Sequence, residues 1–156
     1  MKIDLETCTA CEACIPYCPV QAIQIKEGVA VIDDKECVEC GVCFRSGVCS
    51  TDAIQDVPIT WPRTVRAVLS NPLIESPDTR IPGRGTEEVK TNEVTGRIKH
   101  GMIGLSLEMG RPGTGTSFHD VQKMTQALAG TEVEFEPQNP VTFWITDKKT
   151  GKLRDD

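Results

Sequence analysis

The sequence predicts an α+β chain in three parts: a small cysteine-rich unit over residues 1–57, an extended Pro/Gly-rich arm over 58–96, and a small β–α–β–β unit over 97–156. Three observations predict it. All eight cysteines lie between Cys8 and Cys49. Eight breakers (Pro58, Pro62, Pro72, Pro77, Pro82, Gly83, Gly85 and Gly96) punctuate the stretch that follows. Beyond Gly96, apolar residues first alternate as in a strand and then recur at helical spacing.

The cysteine-rich unit needs a staple. Of the 156 residues, 38% are hydrophobic and 4% aromatic, which leaves little from which to build a core. Domains below about 60–70 residues usually depend on metals or disulfides. Disulfides would more naturally be spread along the chain. The opening MKIDLETC has no apolar signal region and no twin-arginine pair, so the expected compartment is the cytoplasm. There, clustered cysteines are metal ligands more often than disulfides. No apolar run approaches the roughly 20 residues of a membrane helix.

Charge is placed unevenly. Residues 1–57 hold ten acidic and four basic side chains, so the net charge of −6 sits entirely on the cysteine-rich part. Such a surface disfavours nucleic acid as a partner.

The cysteines form an imperfect repeat. The first run, C-T-A-C-E-A-C-I-P-Y-C-P, has the spacing C-x2-C-x2-C-x3-C-P from Cys8 to Pro19. The second, from Cys37 to Ser50, has C-x2-C-x2-C-x5-C-S. Ile3-Asp4 matches Ile32-Asp33, and Cys8, Cys11 and Cys14 match Cys37, Cys40 and Cys43, all 29 residues apart. Cys18 matches Cys49, and Ala22-Ile23 matches Ala53-Ile54, at 31. A two-residue insertion therefore lies between Cys43 and Cys49. Three thiolates at x2 spacing let a tight loop wrap three corners of one iron–sulfur cube. Structural zinc favours two C-x2-C pairs separated by a longer loop, and fits this pattern poorly.

Residues 1–57 resemble a bacterial-type ferredoxin with two 4Fe–4S clusters, on the strength of these two runs. The resemblance implies two hairpins and two short helices related by a pseudo-twofold, with the fourth cysteine of each run reaching the other cube. Carried over, Cys8, Cys11, Cys14 and Cys49 would hold cluster one, and Cys37, Cys40, Cys43 and Cys18 cluster two. The chain departs from the family at the x5 spacing and at Ser50, where a proline is usual. That departure leaves open a site with one cluster or a three-iron cluster. Pro19 is expected to start a short helix over V-Q-A-I, and Ser50 to cap its equivalent. Lys26-Glu27-Gly28 reads as a hairpin turn. Tyr17 and Phe44 are expected to shield the metal from water.

In the arm, a short helix is expected from Arg63 to Leu69. Arg80 and Arg84 read first as solvated linker charges and second as partner contacts. In the last unit, Ile103, Leu105, Leu107 and Met109 alternate as a strand. Ser117, three residues before Asp120, resembles a capping box for a helix from Phe118 to Ala129 that buries Phe118, Val121, Met124 and Leu128 and ends at Gly130. Val133 and Phe135 mark a second strand, and Val141, Phe143 and Ile145 a third. D-K-K-T-G then turns into a polar tail. The loop with Gly110, Gly113 and Gly115 lacks the lysine of a phosphate loop and reads as a strand-to-helix turn. His100 and His119 have no third partner that would make them catalytic.

The expected function is electron transfer, as the ferredoxin-like subunit or dedicated carrier of a larger oxidoreductase, with no catalytic motif for a reaction of its own. Its partners would be a larger redox subunit or a soluble electron donor or acceptor, with self-association through the last unit as a further contact. The competing function is a redox- or ligand-sensing regulator, because β–α–β–β order resembles an ACT-type unit.

Overall fold

The computed structural model describes residues 1–78, 80, 96–110 and 115–155. The N-terminal unit consists of two antiparallel strand pairs with the cysteine runs between them. Strand β1 (Lys2–Ile3) pairs with β4 (Ile54–Gln55), and β2 (Ile23–Lys26) pairs with β3 (Val29–Ile32). The β2–β3 turn is Glu27-Gly28, with φ of 51° and 80°. Two positive φ values in a two-residue connection match the right-handed twist of the flanking strands.

The sequence repeat is a structural one. Ile3 lies opposite Ile54, and Ile32 lies opposite Ile23. The offsets of 29 and 31 carry one pair onto the other. The same mapping carries Asp4 N→Ala53 O onto Asp33 N→Ala22 O, both 2.8 Å. Left-handed backbone recurs at Ala10 and Glu39, at Glu12 and Gly41, and at Gln21 and Asp52. Each cysteine run therefore curls through the same alternation of handedness, which turns backbone N–H groups toward a common interior. Ile3, Cys14, Ile23, Ala30, Ala53 and Ile54 form the buried core between the halves.

The short helices lie one step earlier than expected. They are a 3-10 turn at Ile15–Tyr17 and helix α1 at Val42–Arg45, both inside the cysteine runs. Residues after Pro19 and Ser50 make turns instead, because the N–H of Ala22 and of Ala53 is taken by a cysteine sulfur four residues back. Gln21 and Asp52 are left-handed there, which no helix of L-residues sustains.

Helix α2 (Arg63–Ser70) opens with the N–H groups of Arg63 and Thr64 bonded to the Thr60 carbonyl. It belongs to the stretch expected to be an extended arm, and it is fastened to the cysteine-rich unit. Arg84 lies outside the described residues.

The last unit is a helix on a hairpin, and the expected β–α–β–β order is corrected. Helix α3 spans Phe118–Ala129, with Ser117 accepting from the Asp120 N–H. The hairpin is β5 (Ile145–Asp147) with β6 (Lys152–Leu153), so the tail expected to be polar contributes a strand and a buried Leu153. Val121, Phe135, Ile145 and Leu153 are the core. Among the described residues, the alternating segment Ile103–Met109 forms no strand, and Ile103 is 96% exposed. Phe135 is buried without being in a strand. Val141 to Trp144 turns rather than extends, because Asn139 Oδ1 accepts from the N–H of Val141 at 2.9 Å and of Thr142 at 3.3 Å, starting a 3-10 turn at Thr142–Trp144. On α3, Thr125 is buried where Met124 and Phe118 were expected, and these two are partly exposed. Gly130 ends the helix in a right-handed conformation. The ACT-type resemblance loses its basis in element order.

Among the described residues, no helix is long and apolar enough to cross a membrane.

Candidate metal centre

The charges of Cys11, Cys8 and Cys49 act on the Cys14 thiol, those of Cys40 and Cys18 on Cys43, and that of Cys43 on Cys37. Cys14 is buried, Cys11 exposed, and the others are half-buried.

The thiols are placed where their charges need compensation. Burial pushes the Cys37 thiol up to about 11, with the Glu39 carboxylate adding to the rise and the Glu39 N–H opposing it. Burial raises Cys14 and Cys43 too, and in each the neighbouring thiolates add to the rise. A metal core supplies the missing positive charge and deprotonates its ligands outright.

Backbone amides supply the remaining support. Ala22 N–H donates to Cys18 Sγ at 3.1 Å and Ala53 N–H to Cys49 Sγ at 3.2 Å, at equivalent places in the repeat. Ala30 N–H donates to Cys8 Sγ at 3.3 Å. At Cys49, slight desolvation is outweighed by the Thr51 hydroxyl and by the N–H groups of Thr51, Ala53 and Ile54, so its thiol lies below the ordinary range. Thr51 Oγ1 stands 3.6 Å from this sulfur. Hydrogen bonds to sulfur are a principal means by which a protein stabilises thiolate ligands and sets the potential of a cluster.

All-thiolate donors at this spacing suit an iron–sulfur core. A four-iron cube spreads its ligands over separate corners, unlike a single ion, which gathers them tightly. Among the described residues, no group of three or more His, Cys, Asp or Glu converges closely enough for a single ion. Tyr17 and Phe44, expected to shield the metal from water, are each 44% exposed.

Two features were absent from the expectation. Glu39 is buried in the second cysteine loop, and Arg63 of α2 reaches it. The available signal was Glu39 standing where the repeat has Ala10. The glycine loop offers less. Gly113 lies outside the described residues, and Ser117 is engaged with Asp120 as a helix cap. His119 is exposed beside it.

Fold and donor set define an iron–sulfur protein of the 4Fe–4S class, and comparison with known proteins agrees. A family model described as a 4Fe-4S binding domain matches residues 1–24. Ferredoxin-1 of Rhodobacter capsulatus is 55% identical over 40 residues, which cover 26% of this chain and 62% of that protein. Ferredoxin-3 of Chlorobaculum tepidum is 51% identical over 44 residues, covering 28% of this chain and 71% of that one. A subunit of the tetrathionate reductase of Salmonella typhimurium is 43% identical over 49 residues, covering 30% of this chain and 19% of the reductase subunit. The chain thus spans 62% of the Ferredoxin-1 length and a smaller part of the reductase subunit. By its cysteine-rich segment, the chain belongs to the bacterial-type ferredoxin family.

Proposed function

We propose that this chain transfers electrons through two 4Fe–4S clusters, in the cytoplasm, as the ferredoxin-like subunit or dedicated carrier of a larger oxidoreductase. One observation supports the two-cluster reading: the charge of Cys49 acts on Cys14 in the first run, and that of Cys18 on Cys43 in the second. Cys8, Cys11, Cys14 and Cys49 would hold cluster one, and Cys37, Cys40, Cys43 and Cys18 cluster two. When bound, each cluster accepts and releases one electron at a time.

The chain's own residues do the rest. Thiolates fix the metal, amides of Ala22, Ala30 and Ala53 donate to sulfur, and the Ile3–Ile54 and Ile23–Ile32 pairs keep water from the inner side. A generic carrier would need little beyond residues 1–57. The appended segment therefore favours a committed partner, and the likeness to a reductase subunit supports that reading. Anaerobically isolated protein should contain about eight iron and eight sulfide. Stoichiometric zinc without visible charge-transfer absorption would refute the assignment.

A further inference from the structure

Glu39 breaks the symmetry of the cysteine repeat. Its counterpart is Ala10, and the two share left-handed backbone, with φ of 57° and 53°. Equivalent backbone thus carries a methyl group in the first loop and a carboxylate in the second. That carboxylate is 2% exposed and sits between Cys37 and Cys40. Its charge acts on the Cys37 thiol.

Helix α2 answers it. Arg63 Nε donates to Glu39 Oε1 at 2.6 Å, and the Met1 nitrogen donates to Oε2 at 2.6 Å. Arg63 Nη2 also reaches the Met1 carbonyl at 3.0 Å and stands 3.7 Å from Asp34 Oδ1. Three residues on, Arg66 Nη1 donates to the carbonyls of Asp34 at 2.5 Å and Cys37 at 3.1 Å. At the far end of the helix, Asn71 Oδ1 accepts from Arg45 of α1 at 3.1 Å. Every one of these contacts goes to the second half of the repeat or to Met1.

We infer that Arg63 is a positioning residue for the second centre: it balances the Glu39 charge beside Cys37, and so holds that centre at a higher reduction potential than Glu39 alone would allow. The inference rests on the two-cluster reading above. Reduction adds an electron to a centre already enclosed by thiolates. A buried carboxylate nearby opposes that electron, and a guanidinium paired with the carboxylate removes the opposition. The first centre has Ala10 in the matching place, so it should not respond.

The test uses the full chain with its iron, as wild type, Arg63→Gln, Arg63→Lys, Glu39→Gln and the double variant. Iron content is measured first, and midpoint potentials are then read by an anaerobic titration followed by electron paramagnetic resonance. Arg63→Gln should lower one midpoint and leave the other in place. Glu39→Gln should raise that same midpoint. The double variant, which removes both charges of the Arg63–Glu39 pair and leaves the Met1 ammonium in place, should return it toward the wild-type value, and Arg63→Lys should largely preserve it. If Arg63→Gln sheds iron, the other three variants carry the test. The inference is overturned if the two midpoints move together, if neither moves, or if the double variant lies further from the wild-type value than either single variant. Four iron in the wild type would instead overturn the two-cluster reading, and the inequivalence of two centres with it.

Discussion

Thr125 Oγ1 donates to the carbonyl of Gly151 at 2.6 Å, tying the middle of α3 to the end of the β5–β6 turn. Gly151 has a φ of 70°, and a Cβ there would overlap the Thr125 carbonyl and lie 2.6 Å from the Gln126 nitrogen. Left-handed backbone alone costs an alanine about 1–2 kcal/mol. Overpacking against backbone adds about 1–3 kcal/mol. Gly151→Ala should therefore destabilise the last unit by about 2–5 kcal/mol, read as a lower denaturant midpoint of helix signal. Iron content should not change, because the two buried cores share no residue. A variant with the wild-type midpoint would show that the hairpin does not pack as described.

The crossed ligand assignment is tested by exchanging the two fourth cysteines separately. Cys49→Ser should remove or convert cluster one while Cys37, Cys40, Cys43 and Cys18 keep cluster two. Cys18→Ser should do the reverse. Each variant should therefore lose up to about four of eight iron, with different resonance signals surviving. The same signal surviving in both variants would refute the crossing.

How much of this was legible in the sequence depends on the range of the cause. The repeat offsets marked Ile3 with Ile32 and Ile23 with Ile54 as equivalent positions, but the pairing of Ile3 with Ile54 and of Ile23 with Ile32 crosses the halves and came only with the structure. The Glu27-Gly28 turn and the α3 cap are local, and both were readable. Alternation over Ile103–Met109 says which side chains share a face, but not whether a second strand lies beside them. At Asn139, one side-chain oxygen overrode the β-prone run Val141 to Trp144. The Arg63–Glu39 pair spans 24 residues, and composition gives no sign of it.

Electrostatics should govern the encounter with a redox partner. Residues 1–57 carry the whole net charge of −6, and each oxidised cluster with its thiolates would add about −2. The electron-exchange face should seek a basic patch. Raising ionic strength shortens the Debye length from about 30 Å at 0.01 M to about 10 Å at 0.1 M, so the association rate with a basic acceptor should fall about tenfold or more. Stopped-flow reduction of such an acceptor checks this, and a rate indifferent to salt would refute it.

The boundary of the ferredoxin unit can be located by truncation. A chain ended after Val57 keeps every cysteine but removes Arg63 and Arg66, leaving Glu39 with only the Met1 nitrogen. A chain ended after Asn71 keeps α2 and its contacts at Glu39, Asp34, Cys37 and Arg45. Breaking a buried ion pair costs roughly 3–5 kcal/mol. Arg63 is 23% exposed and Met1 remains, so about 2 kcal/mol is expected here. Both short chains should bind iron, but the one ended at Val57 should release it at a lower denaturant concentration. Equal midpoints would show that α2 is an arm lying on the unit without supporting it. Partner association separates the remaining segment: if residues 97–156 form the dock, the chain ended at Asn71 should reduce small acceptors normally yet fail to copurify with the native partner. Copurification at full yield would move the dock onto the cysteine-rich unit itself.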